Sequence, residues 1–156
     1  MPLPATAHLT LHFAAAELGA DDPEISDDAL ANLQQVAEWL EAARGILGVP
    51  LVVTSGYRTW AHNTEIGGDP HSDHPNGLAA DFEAQGLTPY QVYQQMKAAD
   101  AAGSLPAFDQ LIWYALDNHV HVGLGTGMRH EYLLHTTEGS YVTLVEGYFA
   151  QLRGFV

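Results

Sequence analysis

Cysteine is absent from this chain of 156 residues, so there is no disulfide framework, and any transition metal must be held by histidine and carboxylate. Cations are nearly as scarce. Five Lys and Arg stand against 19 Asp and Glu, a formal charge of −14. A protein that grips phosphate backbones needs a basic face, which five cations cannot build, so the balance argues against nucleic acid as a partner. It argues equally against docking on anionic lipid. No apolar run reaches the ~18 residues of a membrane span, so no membrane association is expected. Met1-Pro2-Leu3-Pro4 lacks the basic and apolar regions of a secretory signal. Synthesis in the cytoplasm is therefore expected, with delivery by other means if the substrate lies outside it. Repeats, low-complexity tracts and linkers are missing too. The length fits one domain over residues 1–156, expected to be a monomer.

What is present divides into a few clear elements. Ser26 followed by Asp27 and Asp28 predicts a helix N-terminus, a capping hydroxyl with acids at the positive end of the dipole. Leu30, Leu33, Val36, Leu40 and Leu47 then recur at helical spacing, with Gly48 and Pro50 as the stop. Leu51 to Thr54 reads as a buried strand ending at Ser55-Gly56. Residues 60–78 read as loop from their Gly, Pro, Asn, Asp and His content. A strand resumes from Leu78 to Glu83. Thr88-Pro89 opens a second helix ending near Gly103. Phe108 to Leu116, the pair Asp117-Asn118, and His119 to Leu124 predict a β-hairpin. Helix first, then strands interrupted by a helix, predicts an α+β fold.

Nine histidines is a high count, and five of them fall at 62, 71, 74, 119 and 121. His74 sits in a Pro/Asn/Gly loop. Asp81 follows the apolar run Leu78-Ala79-Ala80, where a carboxylate is costly unless a cation or hydrogen bonds compensate it; capping a turn is the plainer reading. His119 and His121 alternate with Val120 and Val122, so both imidazoles share one strand face. That pattern suits zinc, and equally a solvent-facing strand. A loop His, a strand Asp and a strand His on separate segments would leave one position open for water, the layout of a catalytic zinc. Spacing alone does not establish that the segments meet.

Four ordered blocks give the chain a family resemblance. Ser72-Asp73-His74-Pro75-Asn76-Gly77-Leu78-Ala79-Ala80-Asp81 resembles the Ser-x-His-x-x-Gly-x-Ala-x-Asp motif of the zinc D-Ala-D-Ala carboxypeptidase and L-alanyl-D-glutamate endopeptidase family. Thr54-Ser55-Gly56-Tyr57-Arg58 resembles its Ser-Gly-Tyr-Arg block. Phe108-Asp109-Gln110-Leu111-Ile112-Trp113 and Val120-His121-Val122 resemble its last two. Leu9-Thr10 through Leu18 is similar to the opening of the phage and prophage branch, and the likeness spans about residues 8–134. The resemblance implies a hedgehog/DD-peptidase-like antiparallel sheet with N-terminal helices and zinc in the cleft.

Carried over residue by residue, it implies one zinc per chain on His74, Asp81 and His121. Arg58 would support the substrate carbonyl or carboxylate, a task that suits a fixed fork of charged donors. Ser72, Tyr57, His119 and Tyr114 are candidate substrate-binding residues. The general base departs from the family pattern. Three residues before His121, where relatives carry an acid, stands Asn118, which cannot titrate. Where the phage-like branch often has an acid after the Asp-Gln-Leu-Ile-x block stands Tyr114. The nearest carboxylate is Asp117, whose backbone on a straight strand would lie roughly 13 Å from that of His121. A turn at 117–118 would bring it closer, so Asp117 is the candidate base. The implied activity is hydrolysis of peptidoglycan stem peptides, by a lysin or wall-remodelling endopeptidase first and a carboxypeptidase second. A non-catalytic zinc-containing wall-binding module is the alternative, because a fold can outlive its chemistry.

Overall fold

The computed structural model describes residues 1–114, 118–136 and 139–144. A one-turn helix α1 (Ala15–Leu18) precedes the long helix α2 (Asp27–Leu47). Ser26 caps α2 as its sequence predicts, its hydroxyl accepting from the Ala29 amide at 3.1 Å, and Gly48 ends it in the left-handed region at φ 68°. The second long helix is α4 (Pro89–Ala101), capped reciprocally by Thr88 and Gln91. Residues 60–78 are not all loop. Thr59 caps a short helix α3 (Trp60–Glu65), and His74–Asn76 form a 3-10 turn. Composition hid α3 because its Thr, Asn and Glu match the polarity of the loop beside it. Among the described residues no helix is long and apolar enough to cross a membrane.

Six strands form one sheet: β1 (Leu51–Ser55), β2 (Ala79–Ala84), β3 (Gln110–Tyr114), β4 (His119–Gly123), β5 (Glu131–His135) and β6 (Tyr141–Thr143). Their order is β1-β2-β4-β3-β5-β6. The sheet is antiparallel, as expected, at every neighbouring pair but one, since β3 and β5 run parallel. β5 and β6, absent from the sequence reading, extend the sheet beyond the hairpin.

Alternation along the strands sorts the residues onto two faces. Ala80, Phe82, Leu111, Trp113, Val120, Val122 and Leu134 are buried with Leu33, Val36 and Leu40 of α2 and Val92 and Met96 of α4 in one core. The opposite face carries Asp81, His121, Ile112, Leu133 and Tyr114 at paired positions. A one-residue slip would exchange the faces, so burial of the core set fixes which residues face the site.

The parallel pair is clamped at its start. Asp109, 2% exposed, accepts from the Arg129 backbone amide (2.8 Å), Nε (3.0 Å) and Nη2 (2.7 Å), and its own carbonyl accepts from the Glu131 amide. These Arg129 hydrogen bonds outweigh burial and hold the Asp109 carboxyl below its usual range. A depressed carboxylate stabilises the fold above its unfolded pKa, near 3.9, and loses that contribution as pH falls through the folded value. Arg129→Ala is therefore expected to cost about 2 kcal/mol at neutral pH, roughly 4–8 °C in melting temperature. The gap from the unaltered chain should close as pH drops below about 4. Melting curves at pH 7 and pH 3 check this; an equal gap at both would refute the clamp.

Candidate metal centre and cleft

The site is assembled from the Gly56 turn, the His74 turn and strands β2 and β4. Gly56 lies so close to α1 that an added Cβ would sit 2.2 Å from the Leu18 carbonyl oxygen, and the same carbonyl accepts from the Tyr57 amide at 2.8 Å. Gly77, at φ 69°, ends the His74 turn where a Cβ would meet the Ala29 carbonyl at 2.1 Å. These two glycines press the loops against the helices and set the height of His74.

Three side chains able to ligate a metal then converge. His74 Nδ1 lies 2.7 Å from the Gly56 carbonyl. A carbonyl only accepts, so Nδ1 carries the proton and Nε2 offers its lone pair inward. That Nε2 is 3.5 Å from Asp81 Oδ1, and His121 Nδ1 is 2.8 Å from the same oxygen. One ligand atom from each of the three lies within 4.8 Å of the others. Ligands on a tetrahedral ion at ~2 Å would be roughly 3.3 Å apart, so this donor set fits a small divalent cation with little adjustment. Burial works to raise the Asp81 pKa, but its contacts with the two imidazoles, His121 foremost, prevail and hold it well below the usual carboxylate range. Asp81 thus presents an anion to the site.

Around the cluster lies a cavity of about 450 Å³. Residues of the 67–74 segment line it on one side, and Gln110, Ile112, Tyr114, Leu133 and Tyr141 on the sheet side. Arg58 reaches it on a fixed stem. Its Nε donates to Asn63 Oδ1 (2.9 Å), Nη1 to Ser55 Oγ (3.2 Å) and Nη2 to Ser72 Oγ (3.5 Å). All three are neutral acceptors, so the guanidinium charge is not consumed by an ion pair with a carboxylate. Burial lowers its pKa somewhat, opposed by Asp81 and Tyr114.

The other candidates divide. Ser72 lines the cavity and also accepts from the His74 amide at 3.3 Å, serving the turn and Arg58 together. Tyr114 lines the cavity, its ring stacked on His119 at 4.4 Å, and burial and the Tyr141 hydroxyl push its phenol far up, so it stays protonated. His119 shares the strand face but lines a different, smaller cavity with Glu83 and Asn118. Tyr57 turns away from the cleft, its hydroxyl donating to the Glu24 carbonyl at 3.4 Å. Its side chain packs beside α1 because the tight Gly56 turn points it there. Asp117 lies outside the described residues. Asn118, its neighbour, has φ 52°, as a turn position requires.

Sequence reasoning missed several participants. Asn63 is 1% exposed, holds Arg58 through Oδ1 and donates from Nδ2 to the Asp69 carbonyl at 2.9 Å. Nothing in a polar stretch marks it. Asp73 borders the cluster, in space left by Gly123 and Gly125; burial raises its pKa while His121 lowers it. Gln110 and Ile112 were findable, since period-two alternation places them on the Tyr114 face. Leu133 and Tyr141 sit on the strands that were not foreseen.

No curated protein matches the chain. A model of the peptidase M15 family does, over residues 5–123, a span that holds the Arg58 turn, the His74 turn and all three converging side chains. With more than half its length matched and an α+β sheet that gathers a His/Asp/His group, this chain belongs to the peptidase M15 family.

Proposed function

We propose that the protein is a zinc-dependent peptidase acting on peptidoglycan stem peptides, with His74, Asp81 and His121 holding the metal. The observation that carries the reading is the meeting of this donor set with an Arg58 anchored by neutral acceptors at one cavity. When bound, zinc lowers the pKa of a water and polarises a carbonyl. The chain's own residues supply the rest. Arg58 directs donors at the carbonyl oxygen and stabilises the negative charge that develops there. Ser72 and Asn63 keep the guanidinium from swinging away. Asp117 is proposed to take the proton of the attacking water and pass it to the leaving amine. Tyr114, held neutral, keeps its proton and cannot serve as the base.

Digestion of purified peptidoglycan with and without a chelator, read by mass spectrometry of the released peptides, tests this reading. The expected result is metal-dependent release of stem-peptide fragments, whose masses name the bond cut. Binding to peptidoglycan without release would favour the wall-binding module, the reading that Asn118 in place of an acid supports. A sharper test lies at Arg58. Arg58→Lys keeps the charge and loses the fork, so kcat is expected to fall about 10²-fold with metal content unchanged. Near-normal turnover would reduce this arginine to a scaffold role.

A further inference from the structure

The site face of the sheet extends well beyond the metal cluster. Pairing sets Asp81 beside His121, His121 beside Ile112 and Ile112 beside Leu133, an apolar floor running from β4 toward β6. Two strand spacings of ~4.8 Å carry this floor roughly 10 Å from His121, the length of about three extended peptide residues. The next register row is aromatic: His119, Tyr114, His135 and Tyr141. Tyr114 is fixed between His119 (centroids 4.4 Å, 18°) and His135 (4.8 Å, 28°). Tyr141 closes edge-on against both Tyr114 and His135, and its hydroxyl lies 3.3 Å from that of Tyr114.

Two phenols sharing one hydrogen bond use one of their two protons, so one O–H is left to donate. Both side chains line the cavity, and Tyr141 is 50% exposed. Leu133 and Tyr141 lie beyond residues 5–123, so this wall is supplied by strands outside the family match.

We infer that Tyr114 and Tyr141, above the Ile112–Leu133 floor, form a substrate subsite that grips a peptide segment of small aliphatic side chains through an uncharged amide carbonyl. The inference deepens the peptidase reading and rests on it for the identity of the peptide. A neutral phenol matches a neutral carbonyl, and a smooth apolar floor matches alanine-sized side chains. Tyr141 is here a specificity-determining residue that binds and does not move protons in the reaction.

The test uses metal-loaded Tyr141→Phe and Leu133→Trp chains beside the unaltered one. Readouts are KM and kcat on isolated disaccharide-peptides from peptidoglycan, and calorimetric Kd for the disaccharide-peptide that remains after exhaustive digestion. Loss of one neutral hydrogen bond should raise KM and Kd about 3- to 10-fold in Tyr141→Phe, with kcat, metal content and melting temperature unchanged. Filling the floor in Leu133→Trp should raise both more than tenfold. Should that variant fail to fold, Tyr141→Phe alone decides, because its hydroxyl is at the surface. Unaltered KM and Kd in Tyr141→Phe overturn the inference, as does a fall confined to kcat. If the unaltered chain cleaves no stem peptide, the peptidase reading fails by itself. Kd for the intact disaccharide-peptide then decides the subsite separately.

Discussion

Asp81→Ala protein is expected to emerge from purification with less than a tenth of the metal carried by the unaltered chain, and with no measurable hydrolysis. Asp81 is the hub of the cluster, its Oδ1 within 3.5 Å of both ring nitrogens. Even residues that only orient ligands are typically worth ~10–100-fold in metal affinity, and a ligand itself is worth more. Without the carboxylate, two imidazoles remain, with no anion to balance the cation. Metal bound only to the native state also stabilises it, by about 2.7 kcal/mol at a hundredfold excess over Kd. Addition of zinc should therefore raise the melting temperature of the unaltered chain and leave that of Asp81→Ala in place. Elemental analysis and melting curves with and without zinc make the check. Full occupancy in the variant would transfer the site elsewhere.

Asp117→Asn should lose ~10²–10⁴-fold in kcat, the usual contribution of a general base, while keeping its zinc. An amide can neither take nor pass the proton. Tyr114→Phe is the matched control, since its phenol stays protonated and the expected loss is in binding alone. If Asp117→Asn retains kcat and Tyr114→Phe loses it, the proton is handled at the tyrosine and Asp117 is only a turn residue. Metal content, measured on both, must stay constant for either result to count.

The parts of the fold that could be read ahead are those whose signal is local. Ser26 and Gly48 bound α2, and Thr88 caps α4, because a capping hydroxyl and a left-handed glycine act within one turn of chain. The convergence of His74, Asp81 and His121 was legible only through ordered motifs, since 40 residues separate Asp81 from His121 and no local rule spans that distance. Tyr57 shows the limit of motif transfer. The motif sets its neighbours Gly56 and Arg58 at the site, yet strand-to-loop geometry sends its ring to Glu24. Tyr141 and Leu133 were invisible for another reason. β5 pairs in register with β3, 21 residues earlier, β6 pairs only with β5, and such short strands carry too little periodicity to declare themselves.

One chain of contacts runs from the N-terminal segment to the metal cluster. The Leu18 carbonyl takes the Tyr57 amide, and the Gly56 carbonyl of the same turn takes His74 Nδ1. If α1 and the imidazole are coupled through this turn, what loosens one loosens the other. The two are reciprocal by thermodynamic necessity. Amide hydrogens of α1 and the Gly56 turn, some of them remote from the cleft, should exchange with solvent more slowly when the ion is bound. The segment around α1 would thus serve as a gauge of occupancy, and changes selected there for solubility or expression would be expected to alter how strongly the cleft binds added metal.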